Sequence, residues 1–166
     1  MVERKRLIAF IALAAAATYG VYFFLHLEER RVKRRFAALA EWVFKEPGEP
    51  PLASVGKARQ TETLFADPCR FEIQGYEVSA TLAVREIATY AIQGRARFDA
   101  LELAFYDLTV EFPADGEAHV TATARLSGRK AGGDPVNETH ELDCALKKTE
   151  EGWRFTRITA VQVLKK

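Results

Sequence analysis

Two side chains in the second half of the sequence have the types that acid–base chemistry needs, Asp107 and His140. Between residues 100 and 112 the apolar set is Leu101, Leu103, Phe105 and then Leu108, Val110, Phe112, so the parity changes at Tyr106-Asp107. One extra residue there restores the same inward face, which predicts a β-bulge, and bulges re-aim side chains at sites. His140 shares parity with Leu142 and Cys144 and so faces inward with them. A carboxylate and an imidazole meeting in one pocket would form the acid–base pair of a dehydratase or isomerase. The plainer reading keeps Asp107 as a cap on the bulge and His140 exposed at the start of a strand. We prefer it, and read Leu103, Phe105, Asp107 and Leu142 as the lining of an apolar pocket for a small ligand. His119 has the opposite parity and points outward; Tyr90 and Tyr106 read as core or rim residues.

The chemistry the sequence lacks narrows the field. It has no Gly-rich phosphate loop, no HExxH, no nucleophile elbow and no paired metal-ligand spacing, so neither a metal nor a cofactor is expected. Its two cysteines, Cys69 and Cys144, are too few for a zinc site and too far apart for CxxC redox chemistry. Buried free thiols are preferred to a disulfide, which an oxidising compartment would leave open. Residues 28–166 hold 21 Lys+Arg against 22 Asp+Glu, a balance that excludes the sustained basic surface of a nucleic-acid binder.

The elements that position these residues follow from periodicity. Val32, Phe36, Leu39 and Val43 make one apolar stripe on a helix over 28–45, which Pro47-Gly48-Glu49-Pro50-Pro51 terminates. A second helix is predicted from Ser54, as N-cap, to about Ala66, stopped by Asp67-Pro68. The period then switches to two, with Cys69, Phe71 and Ile73 on one face and Arg70, Glu72 and Gln74 on the other. A short strand over 76–80 and a third helix from Val84 to between Gly94 and Phe98 precede four long strands. The order α-α-β-β-α-β-β-β-β defines an α+β domain, helices packed on one curved antiparallel or mixed sheet.

Ahead of this domain lies Leu7 to Leu25, 19 residues without a charge. As a helix the run spans about 28 Å, close to a bilayer's hydrocarbon core. Residues 1–27 are therefore expected to be a signal anchor, a single transmembrane helix, and 28–166 the folded domain. Cleavage at an A-x-A site is the alternative, but the apolar character continues beyond it to Leu25. The helix at 28 follows without a Pro/Gly linker, which predicts a domain held close to the bilayer. Arg30, Arg31, Lys33, Arg34 and Arg35 then fall at headgroup height, with membrane lipid as partner. Basic residues flank the run on both sides, so charge alone leaves its orientation open.

Leu64-Phe65-Ala66-Asp67-Pro68-Cys69-Arg70-Phe71-Glu72 (helix end into first strand), the bulged stretch Leu101–Phe112, and the closing Gly152-Trp153-Arg154-Phe155 occur in the right order for a known superfamily. With these signatures the chain resembles the nuclear-transport-factor-2-like superfamily, which includes SnoaL-like polyketide cyclases and ketosteroid isomerases. The likeness covers residues 30–164 and is nearest to bacterial members that join one N-terminal anchor to an exported domain. It implies a cone-shaped sheet packed against three helices, a C-terminal domain on the outer side of the cytoplasmic membrane, and a possible homodimer through the sheet. It also implies a carboxylate base on the first strand, where this chain offers only Glu72, whose parity turns it away from the pocket. We therefore rank a non-catalytic ligand-binding or assembly module first and an Asp107/His140 isomerase or dehydratase second. A subunit of an envelope secretion or transport complex is the third reading.

Overall fold

The computed structural model describes residues 2–74 and 78–162. Three helices and six strands follow one another as α1 (Val2–Val43), α2 (Pro51–Leu64), β1 (Phe65–Gln74), β2 (Val78–Leu82), α3 (Val84–Ala96), β3 (Phe98–Ala114), β4 (Glu117–Lys130), β5 (Pro135–Thr149) and β6 (Gly152–Gln162). By contact the chain divides into two units, Met1–Arg31 and Val32–Lys166, the division falling inside α1. α1 is helical over its 42 residues, Val2–Val43. Of the apolar run at 7–25, only Tyr19 and Phe23 have described side chains, and both are exposed. Most side chains of the expected anchor therefore lie outside those described, and among the described residues no helix is long and apolar enough to cross a membrane.

In the second unit one mixed sheet runs β2-β1-β6-β5-β4-β3, with β1 and β6 parallel and every other neighbouring pair antiparallel. The α1 stripe fills its inner face: Val32, Phe36 and Leu39 are buried, with Phe36 1 % exposed, but the fourth buried side chain is Trp42, and the expected Val43 is only partly buried. Phe36 stands edge-on to Phe105 of β3 at 5.2 Å and to Phe155 of β6 at 5.1 Å. Those two rings are therefore no more than about 10 Å apart, although β3 and β6 are three strand spacings, roughly 14 Å, apart on a flat sheet. The sheet curls around one phenyl ring.

Three boundaries differ from the sequence reading. α2 begins at Pro51, not Ser54, because a proline at the first helical position gives up only an amide that has no helical partner. α2 ends at Leu64, and Asp67-Pro68 sits inside β1 rather than stopping a helix. The pairing of β1 with β6 is interrupted between Phe65 and Arg70, so Pro68 removes no ladder bond there. The second strand runs on to Leu82 rather than ending at Ala80; its expected start at Tyr76 lies outside the described residues, as do Gly75 and Glu77.

A buried ionic knot closes the bottom of α1. Arg95, 6 % exposed in the last turn of α3, donates from Nη1 to the carbonyls of Trp42, Val43 and Phe44 at 2.7–2.8 Å. It supplies the donors that a helix C-terminus lacks and a charge of the sign its dipole favours. Its Nη2 meets Glu49 Oε1 at 2.5 Å, and Lys57 Nζ meets Glu49 Oε2 at 3.2 Å. Burial pushes the Glu49 carboxyl up, but the hydrogen bonds and charges of Arg95 and Lys57 outweigh it and hold the group below its ordinary value of 4.5. The stability this provides is complete above pH 4.5 and is lost as pH falls through the lower folded value. Glu49→Gln leaves Arg95 without its counter-charge and is expected to cost about 3 kcal/mol at neutral pH, while flattening the acid limb below pH 4.5. Urea unfolding at pH 7 and pH 4 measures both effects.

Candidate functional site

The predicted bulge forms where the parity changes. The register of β3 against β4 shifts between Tyr106 and Thr109, and Asp107 takes φ +54°, the left-handed conformation that Asp tolerates better than most residues. Leu103 and Phe105 before the shift, and Leu108, Val110 and Phe112 after it, all pack against the core from the inner face. Asp107 itself is exposed.

His140 sits two strands away from β3. The register carries one inner row from Phe105 through Ala124 to His140, and Ala122 is paired with Leu142 beside it. Alanines at the centre of two adjoining rows keep the floor of the sheet low between the bulkier side chains of β3 and β5. Leu103, Phe105, Leu142 and Ile158 around that floor are only partly buried, although they share the face that holds the core. Among them His140 brings the one imidazole, whose Nδ1 is buried without a hydrogen-bond partner; its Nε2 lies 3.5 Å from Glu138 Oε2. An orphaned ring nitrogen beside apolar side chains costs desolvation free energy, which a ligand hydroxyl or carbonyl at that position would return. The structure thus gathers Leu103, Phe105, Leu142 and His140 on one face and leaves Asp107 exposed at the bulge, with Glu138 as the carboxylate nearest the imidazole.

Glu72, the one carboxylate on β1 that could have been a base, lies on the outer face. It accepts a hydrogen bond from Thr159 Oγ1 at 3.1 Å and pairs with Arg70 Nε at 2.5 Å. The same face carries a network that the sequence reading missed. His119 Nε2 meets Asp143 Oδ2 at 2.7 Å, and Arg157 Nη2 donates to Asp143 Oδ1 at 2.9 Å. Burial pushes the Asp143 carboxyl up, but hydrogen bonds and charge from His119 and Arg157 prevail and hold it below its ordinary 3.8. Glu111 approaches His119 Nδ1 at 4.0 Å. Outward parity identified His119, but its partners Asp143 and Glu111 lie on two other strands and Arg157, the partner of Asp143, on a third, so only strand register brings them together.

The five basic residues assigned to headgroups have different surroundings. Arg31 pairs with Glu28 at 2.8 Å within the first unit. In the second unit Arg35 donates to the carbonyls of Thr63 at 3.5 Å and Glu151 at 3.3 Å, against Gly152, where a Cβ would collide with the guanidinium. Arg30, Lys33 and Arg34 are exposed. Cys69 and Cys144 are free and buried, and burial, foremost, pushes each thiol up to about 12. Thiols at that value carry almost no thiolate at neutral pH and are inert.

Solved structures with this architecture share little sequence with the chain. A protein of Kribbella flavida superposes with TM-score 0.68 at 14% identity, covering 82% of this chain and 91% of its own. A candidate scytalone dehydratase of Novosphingobium aromaticivorans gives 0.66 at 13% identity, over 83% of this chain and 85% of its own. An NTF2-like protein with a cystatin-like fold from the same organism gives 0.64 at 14% identity, over 89% and 90%. No protein-family model matches the sequence, and no curated protein matches it. The chain has the nuclear-transport-factor-2-like fold: an α+β unit whose curved six-stranded sheet is packed on one face by helices.

The inner-face geometry gives a simple test. His140→Leu removes the unpaired nitrogen and replaces it with apolar volume, so the midpoint of thermal unfolding of the ligand-free chain should rise or stay level rather than fall.

Proposed function

We propose that this chain is a membrane-tethered, non-catalytic binding module that takes a small apolar ligand on the inner face of its sheet. One observation carries the reading: His140 Nδ1 is buried without a hydrogen-bond partner on the sheet face that also carries Leu103, Phe105 and Leu142, side chains that remain partly open. A ligand with an apolar body and one hydrogen-bonding group matches that surface, because pockets of this kind use apolar walls for affinity and a few polar atoms for orientation. The tether is the apolar run at 7–25, and the soluble unit is assigned to the outer side of the cytoplasmic membrane.

The alternative is a small isomerase or dehydratase, favoured by the same unpartnered imidazole and by the candidate scytalone dehydratase among the structures of this fold. It calls for Asp107 to turn in from its exposed position at the bulge. A bicyclic alcohol such as 2-tetralol tests both readings, since it has an apolar body and a hydroxyl that can be eliminated. Titrated into the purified full chain, it is expected to shift the His140 ring resonances saturably below about 1 mM and to be recovered unchanged. Dehydrated product, lost in both Asp107→Asn and His140→Ala, would establish the enzyme instead, and the absence of any saturable shift would remove the pocket. Alkaline phosphatase fused after Lys166 is expected to be active in cells; an inactive fusion would put the unit in the cytoplasm.

A further inference from the structure

The register of the sheet breaks twice at one height, on either side of the β4–β5 pair. β3 shifts against β4 between Glu111 and Ala114. β6 shifts against β5, where Ala145 pairs with Arg157 but Leu146 with Phe155, so Thr156 is the extra residue of a β-bulge. Phe155 and Ile158 both pack in the core, and Thr156 and Arg157 between them both line the outer side. Bulges re-aim side chains in this way next to sites. Between the two breaks lies a groove of about 380 Å³, the size of a small-ligand site.

The groove is divided by charge. Glu111 and Glu117 stand on its β3–β4 side, Lys147 and Arg157 on its β5–β6 side. Glu117 and Lys147 are register partners and both exposed, yet neither forms an ion pair among the described residues. An arginine presents five N–H donors. Asp143 Oδ1 takes one from Arg157, and Nε has no acceptor among the described residues. The same carboxylate orients His119. Ionised Asp143 only accepts, so the 2.7 Å bond puts the imidazole proton on Nε2 and leaves Nδ1 of the neutral ring an acceptor. Glu111 Oε2, 4.0 Å from Nδ1, is beyond hydrogen-bond reach. Between His119 and Arg157 in the register stands only the methyl group of Ala145.

We propose that this outer-face groove binds a short zwitterionic peptide laid across the strands, its ammonium between Glu111 and Glu117 and its carboxylate between Lys147 and Arg157. A simple anion would meet two glutamates, and a simple cation a lysine and an arginine. A ligand charged oppositely at its two ends satisfies both sides. The two sides are centred about two strand spacings apart, roughly 10 Å, which an extended chain of three residues spans. A peptide N–H in its middle supplies the donor that His119 Nδ1 lacks, and small side chains clear the floor at Ala145. The proposal does not depend on the inner-face ligand, because the groove lies on the opposite face of the sheet.

Tri-alanine titrated into the purified full chain at pH 7 tests it, read at the His119 ring resonances with those of His140 as the control. A saturable His119 shift is expected, with a dissociation constant of about 1–10 mM and His140 unmoved. N-acetyl-tri-alanine lacks the ammonium and tri-alanine amide lacks the carboxylate; each should bind about fivefold or more weakly. Glu117→Gln, at an exposed position, should weaken tri-alanine about two- to fivefold and leave binding of the N-acetyl form unchanged. Lys147→Gln should weaken it as much and leave the amide form unchanged. No saturable shift up to about 50 mM overturns the proposal. So does a loss confined to one blocked peptide, which would make the groove a plain anion or cation site. Equal binding of all three peptides, or charge variants that act alike on all three, overturns it too.

Discussion

A single aromatic ring sets the shape of the second unit, Val32–Lys166. Phe36 touches β3 and β6 at once, and three strand spacings can close on one phenyl group only if the sheet curls. Curling gives the sheet an inside, and the helices fill it: Val32, Leu39 and Trp42 from α1, Leu64 from α2, Val84 and Ile87 from α3. Everything polar on the strands is thereby divided into two classes. Side chains that point inward must be apolar or must find a partner, and His140 is the exception that has half of one. On the outer face His119, Asp143 and Arg157 pair across strands instead.

The division explains why the fold was more legible than the site. The α1 stripe repeats with the period of a helix and the strands alternate, so burial can be read one element at a time. The bulge at Asp107 was legible for the same reason, since a change of parity is a local signal. Pro51 and Pro68 misled because proline marks a boundary without saying which side of it is ordered; one opens a helix and the other sits in a gap of the β1–β6 ladder. The Glu49–Arg95 pair joins residues 46 positions apart, and each alone reads as a solvated charge. Likewise the His119 network depends on register across four strands, which no single strand's pattern contains.

Arg95 also illustrates how a buried charge is tolerated here. It serves three carbonyls at the end of α1 and the Glu49 carboxylate, so its burial is compensated by four acceptors rather than by one ion pair. Lys45 extends the same device, donating to the carbonyls of Arg95 and Phe98, while its backbone pairs with Leu101 at the free edge of β3. The segment after α1 thus covers the start of an edge strand that would otherwise offer its backbone to a neighbour.

The two cysteines have a consequence of a different kind. They belong to β1 and β5 with β6 between them, about 10 Å of sheet, well beyond the separation of about 4.4–6.8 Å between Cα atoms that a disulfide spans. Both are sealed in the interior with thiols near 12. The unit therefore carries no covalent clasp to be made or broken, and its folding asks nothing of an oxidase or a reductase. Its interior is therefore indifferent to whether its surroundings are reducing or oxidising.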